Sequence, residues 1–222
     1  MTASISFVID QSLYLRYPEE TALGKKIVSE SILMMDEEGY DAFTFKKLAA
    51  RISSTEASVY RYFRNKHQLL CYLVSWYWTW LEYFIQFRTN NITDSRRKLE
   101  MAIAALLESD IDDPNIKHIN EGILHRVVVA ESARVYMPRP AEISDYHGIL
   151  RGYNLMCARL MEFIKGIDPK YKYTRELVDT LLSISHNRLF TMYQSNDRKA
   201  KRRDARSLEV FLNHLVFTSL NR

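Results

Sequence analysis

The stretch STEASVYRYFRNKHQLL, residues 54–70, sets Ala57 and Ser58 beside Tyr60, Arg61, Tyr62 and Arg64. At helical period Val59 and Phe63 stand four apart and form a buried pair, which leaves Glu56, Ala57, Ser58, Tyr60 and Arg61 pointing outward. This outward set is too polar for a core and too bulky for an idle turn. Small Ala57 and Ser58 let the backbone approach a partner closely. Tyrosine hydroxyls suit phosphate oxygens, and an arginine forks onto guanine O6 and N7. These are the side chains of a helix that enters the major groove of DNA.

The residues upstream supply its partners. Thr44 opens a short helix as N-cap, with Phe45, Leu48, Ala49 and Ile52 facing inward, and Ser53–Ser54 break it. The next helix spans about 55–62. Two helices this short need a third wall, and a helix from Thr21 with Val28, Ile32 and Met35 on one face provides it. Gly39 is placed to end that helix, since glycine accepts the left-handed backbone of a C-terminal cap. Asn65 caps a long helix reaching about residue 90, and Lys66 in its first turn is placed to hold a phosphate with the free N–H groups. The expected DNA contacts are Thr44, Lys46, Thr55, Glu56, Ala57, Ser58, Tyr60, Arg61, Tyr62 and Lys66. From Thr44 to Lys66 there are six basic residues against Glu56 alone, a local +5 that exceeds the +4 of the whole chain. A solvated helical surface carries such a run too, so charge alone does not decide.

Residues 25–70, KKIVSESILMMDEEGYDAFTFKKLAARISSTEASVYRYFRNKHQLL, resemble the DNA-binding head of the tetracycline-repressor (TetR) family. The matching positions are Thr44, Leu48–Ala49, Val59–Tyr60, Tyr62–Phe63, Lys66 and Leu69–Leu70. The chain departs from the pattern in the turn, with Ile52–Ser53–Ser54 where the family usually has Ala–Gly–Val. A serine at positive φ there costs about 1 kcal/mol relative to glycine. Ser53 and Glu56 also spell a capping box, which would turn Glu56 away from bases. The resemblance implies a larger all-helical core after the head, a homodimer on a near-palindromic duplex operator, and repression released by a small-molecule effector.

Composition agrees with an all-α fold. Hydrophobic residues make up 47%, enough for a sizeable core, and none of the six glycines or five prolines falls between Thr44 and Asp113. The organisation read from the chain is an N-terminal extension (1–20), a helix-turn-helix head (21–66) and a helical effector-binding and dimerisation part (67–222). The extension is an arm on DNA, an edge strand or a strap over the core, with the strap favoured. Further helices are expected at about 94–109, 114–134, 144–165, 174–194 and 205–220. The basic run 198–206 reads most simply as a loop, with a second nucleic-acid contact as the alternative. Two cysteines without metal-type spacing, and a start lacking a signal-peptide pattern, lead us to expect a cytoplasmic protein.

Residues 69–87, LLCYLVSWYWTWLEYFIQF, contain one charge, Glu82. Ser75, Thr79, Glu82 and Gln86 align on one face, which speaks for a packed helix and against a membrane span. Trp76, Trp80, Phe84 and Phe87 share one side. They are core packing or, in the functional reading, one wall of an effector pocket in which Glu82 and His125 orient a polar end. In the last two helices Val178, Leu182, Leu189 and Met192, and Leu208, Phe211, Leu212 and Leu215, make apolar faces. They close the core or, as the family resemblance implies, form a four-helix dimer seam. Asp110, Asp112 and Glu121 imitate a calcium loop but lack its glycine, and no nucleophile–base pairing is spaced for catalysis. No cofactor, metal or enzymatic activity is expected. The alternative is a helical enzyme or lipid-binding protein that carries such a head without specific DNA binding.

Overall fold

A computed structural model of the chain describes residues 7–108, 116, 118–136, 146–193 and 198–220. Among these residues all regular structure is helical. The expected breaks at 110–114 and 137–140, the calcium-like Asp110 and Asp112, and the expected helix start at 144 lie outside the described residues. Contacts divide the chain into two units, Met1–Thr79 with Asp110–Gly152, and Trp80–Ser109 with Tyr153–Arg222.

The first unit begins with a strap in which Gln11–Leu13 and Pro18–Glu20 form single 3₁₀ turns. Phe7, Ile9 and Leu13 are buried, and Phe7 meets Trp76 edge-on at 5.3 Å. Helix α1 (Ala22–Ala42) starts at Thr21, whose hydroxyl accepts from Gly24 N at 2.9 Å. Its buried row is Ile27, Val28, Ile32 and Met35. Gly39, expected as a terminator, has φ 79 and breaks the helical backbone, although the element runs three residues further. Helices α2 (Phe45–Arg51) and α3 (Glu56–Tyr60) pack on each other, and α2 on α1. Then α4 (Lys66–Thr89) opens at Asn65, whose Oδ1 accepts from Gln68 N at 2.8 Å. Helix α6 (Glu121–Glu131) lies against α1, and α7 (Ala133–Tyr136) and α8 (Tyr146–Ile149) are single turns. Asn120 caps α6, later than the expected start at 114.

In the second unit α5 (Ser95–Leu107), α10 (Thr174–Tyr193) and α11 (Arg198–Leu220) pack mutually. Trp80, Leu81 and Ile85 of α4 and Met156, Leu160 and Ile164 of α9 (Arg151–Ile167) complete its buried set. Arg198–Arg206, expected as a loop, forms the opening turns of α11. Lysine, arginine and alanine are good helix formers, and no glycine or proline interrupts them.

The polar stripe on α4 has a packing cause. Within the first unit, a Cβ on Gly152 would come 2.5 Å from Thr79 N, so only glycine lets the start of α9 approach there. Within the second unit, Arg159 Nε donates to Glu82 Oε1 at 2.8 Å. Two residues of this stripe, Thr79 and Glu82, thus each meet α9 within their own unit. Among the described residues no helix is long and apolar enough to cross a membrane.

Candidate nucleic-acid interface

The head is built from caps and one short turn. Thr44 Oγ1 accepts from Lys47 N at 3.2 Å to start α2, and Ser54 N donates to Ala49 O at 2.9 Å to close the turn. Ser53 sits at φ 55, the strained position expected from the sequence. The expected Ser53–Glu56 capping box does not form. Thr55 is the N-cap of α3 and accepts from Ser58 N at 3.2 Å, because Ser53 at positive φ belongs to the turn and cannot open a helix. Glu56 is thereby an exposed first residue of α3. Val59 and Phe63 are fully buried, as their spacing requires.

This anchoring turns Glu56, Ala57, Tyr60 and Arg61 outward, with Ser58 half-buried and Thr55 exposed beside them. Tyr60 is 46% exposed, and its ring rests edge-on against Phe45 at 5.1 Å. The phenol thus stands on a fixed base with its tip in solvent. Thr44 and Lys46 are exposed at the start of α2, and Arg64 follows α3.

Two expected DNA contacts are engaged inside the protein. Tyr62 is only 2% exposed, and its hydroxyl shares a 2.7 Å hydrogen bond with Thr21 Oγ1. Lys66 Nζ donates to the carbonyls of Tyr40, Asp41 and Phe43 at 3.0, 3.2 and 3.2 Å and lies 4.5 Å from the Tyr40 ring centroid. It caps the broken end of α1, where carbonyls lack helical partners. Both side chains answer to residues more than twenty positions away, which the local motif does not reveal.

The charge of the basic stretch is likewise redistributed. Arg51 donates to Glu30 at 2.8 Å and to both carboxylate oxygens of Glu37, and Lys47 donates to Glu38 at 2.7 Å. The Arg51 hydrogen bonds hold the Glu37 carboxyl below its usual range and strengthen the protonation of the guanidinium. Lys46, Arg61 and Arg64 remain exposed as the positive edge of the head.

The residues expected around an effector fall in both units. In the first, Trp76 is buried and His125 Nδ1 lies 3.1 Å from Tyr77 Oη. In the second, Trp80 stacks on Phe84 at 5.4 Å, and Arg88 covers the Phe84 ring at 4.1 Å. Glu82, expected to orient a ligand, is held by Arg159 at 2.5 and 2.8 Å, and Phe87, expected in a wall, is 70% exposed. Two surface hollows of the second unit, about 550 and 350 Å³, are lined by Tyr171 and Thr218 and by Arg96 and Phe217 and include none of these six residues.

Four residues of the expected dimer row are occupied within the chain. Val178, Leu182, Leu208 and Leu212 are buried inside the second unit, since the apolar stripe of each helix is used to pack α5, α10 and α11 together. Phe211 is 51% exposed and Leu215 is half-buried. The side chains of Leu189 and Met192 lie outside the described residues. Among the described residues no group of His, Cys, Asp and Glu is arranged to hold a metal.

Two short capped helices around a tight turn, closed by a third and exposing a Tyr–Arg edge, define a helix-turn-helix head on a helical body. Residues 27–73 match the family model of bacterial regulatory proteins, tetR family. Among curated proteins, none matches the chain by sequence. Solved structures share its fold. AibR in complex with isovaleryl coenzyme A and operator DNA is 13% identical with TM-score 0.62, covering 83% of this chain and 96% of that one. The fatty acid degradation regulator FadR from Bacillus halodurans is 18% identical with TM-score 0.61, covering 86% and 92%. A TetR-family transcriptional regulator from Pectobacterium atrosepticum is 17% identical with TM-score 0.55, covering 89% and 96%.

Proposed function

We propose that the chain is a sequence-specific DNA-binding transcriptional regulator, a homodimeric repressor that leaves a near-palindromic operator when a small molecule binds its helical body. The observation that carries this is the exposed face of α3, where Ala57 and Ser58 leave room for bases between Tyr60 and Arg61. Arg61 reads a guanine, while Tyr60, Lys46, Thr44 and Thr55 hold phosphates. Glu56, free of the capping box, faces base edges at the helix start. In the dimer, Val210 (66% exposed) and Phe211 on α11 supply apolar surface toward the second copy. The ligand reported with AibR makes acyl thioesters of coenzyme A the first effector class to test, and the Trp80–Phe84 stack is the first aromatic pair to probe by substitution.

The test is selection from random duplexes, followed by addition of a series of coenzyme A thioesters to the complex that forms. One enriched two-fold site, bound by two copies and released by some acyl chain lengths but not by coenzyme A alone, is the expected result. A selection that enriches nothing overturns the DNA-binding reading. An enriched site that no thioester releases overturns the effector class.

A further inference from the structure

The strap at the N-terminus is fastened to the same junction that presents α3. Leu15 N donates to Tyr62 O at 2.7 Å, and Gln68 Nε2 donates to Ser12 O at 2.8 Å while its Oε1 accepts from Arg64 N at 2.7 Å. Gln68 thereby ties the strap to the turn between α3 and α4. Behind these bonds the strap is braced by aromatic rings. Tyr14 meets Tyr17 at 5.3 Å and Tyr72 at 6.3 Å, and Tyr17 Oη donates to Phe7 O at 2.7 Å. Burial raises the Tyr72 phenol well above its ordinary pKa, so it stays a donor and holds Glu19 at 3.3 Å. That contact turns one of the strap's acids inward.

The strap leaves Val8, Gln11, Ser12, Leu15, Arg16 and Glu20 exposed, and Arg16 is the one cation among them. The Arg16 guanidinium lies 5.6 Å from the centroid of the Tyr62 ring, directly beside exposed Arg61 in sequence. Stacking on a ring face orients a guanidinium but leaves its in-plane N–H groups available, the geometry that suits a phosphate. Tyr62, too buried to reach DNA itself, becomes the platform for a charge that can. We propose that the strap is a second DNA-contacting element, in which Arg16 holds a backbone phosphate next to those reached from α3. It adds affinity and register without reading bases. The inference rests on the DNA-binding reading above.

The test compares the full chain with Arg16→Ala and Arg16→Lys on the selected duplex and on an unrelated duplex across a range of salt. Arg16→Ala should bind both duplexes roughly three- to tenfold more weakly near physiological salt and lower the salt slope by about one. Its preferred site and melting temperature should stay unchanged, and Arg16→Lys should keep most of the slope. If the parent chain binds no selected duplex, the DNA-binding reading fails and takes this inference with it. If the parent binds and Arg16→Ala matches it in affinity and slope, only the inference fails. A lowered melting temperature with an unchanged slope makes Arg16 a brace for Tyr62, and a changed site preference makes it a base reader; either overturns the phosphate role.

Discussion

Helix α2 and the end of α3 carry the same charge on the same head and use it differently. Lys47 and Arg51 of α2 are matched by Glu38, Glu30 and Glu37 of α1, so their charge is spent on holding two helices together. Arg61 and Arg64, just past α3, are exposed. A positive count therefore measures two things at once, cohesion and attraction, and the carboxylates on the neighbouring helix decide which. Lys66 belongs with the first group although it stands beside the second, because three carbonyls at the end of α1 claim its ammonium.

The largest expected effect breaks the cohesive side. Lys66→Ala leaves three carbonyls without their cationic donor and should cost about 3 kcal/mol of stability, read as a lower denaturation midpoint. The folded fraction should keep the salt slope of the parent to well within one unit. A slope lower by a full unit would move Lys66 to the DNA-facing group. Next comes Arg61→Ala, which should leave stability alone and lose about 1–3 kcal/mol of discrimination at one base pair. Repeating the duplex selection with this variant checks it, and an unchanged site removes Arg61 from base readout.

The smallest effect concerns Arg51 and is dependent on pH. The folded-state pKa of Glu37 is depressed by Arg51, so the stabilisation is present above the unfolded carboxylate pKa, about 4.3, and fades as pH falls through the lower folded value. Arg51→Ala should be slightly less stable than the parent at neutral pH, and the gap should close in acid. Its DNA affinity should not change. Denaturant melts at several pH values measure the gap, and a gap that persists in strong acid would mean that Arg51 acts through packing.

How much of this was legible in the sequence depends on the reach of each interaction. The caps Thr44 and Asn65 and the buried pair Val59–Phe63 act within four residues, and a linear reading places them correctly. The positive φ of Ser53 was legible too, since turn chemistry is local. Tyr62 was not, because the hydroxyl that engages it belongs to Thr21, on the far side of α1 and α2 in sequence. The α10 and α11 stripes show that Val178, Leu182, Leu208 and Leu212 want apolar company. Periodicity does not say whether that company is the same chain or a second copy. Likewise Glu82 reads as a lone charge among aromatics until α9 brings Arg159 to it.

All three tryptophans of the chain lie on α4, and the division between the units falls among them, after Thr79. Trp76 sits edge-on against Phe7, and the Trp78 indole donates to Tyr136 Oη at 2.5 Å, both within the first unit, while Trp80 stacks on Phe84 in the second. The helix is thus an optical ruler graduated by nature. Replacing two indoles at a time with phenylalanine leaves one emitter whose wavelength and quenching report a single neighbourhood. Trp76 watches the strap, Trp78 watches α7, and Trp80 watches the stack at the start of the second unit. A disturbance that begins in one half of α4 can be timed as it arrives at each mark, with no dye attached.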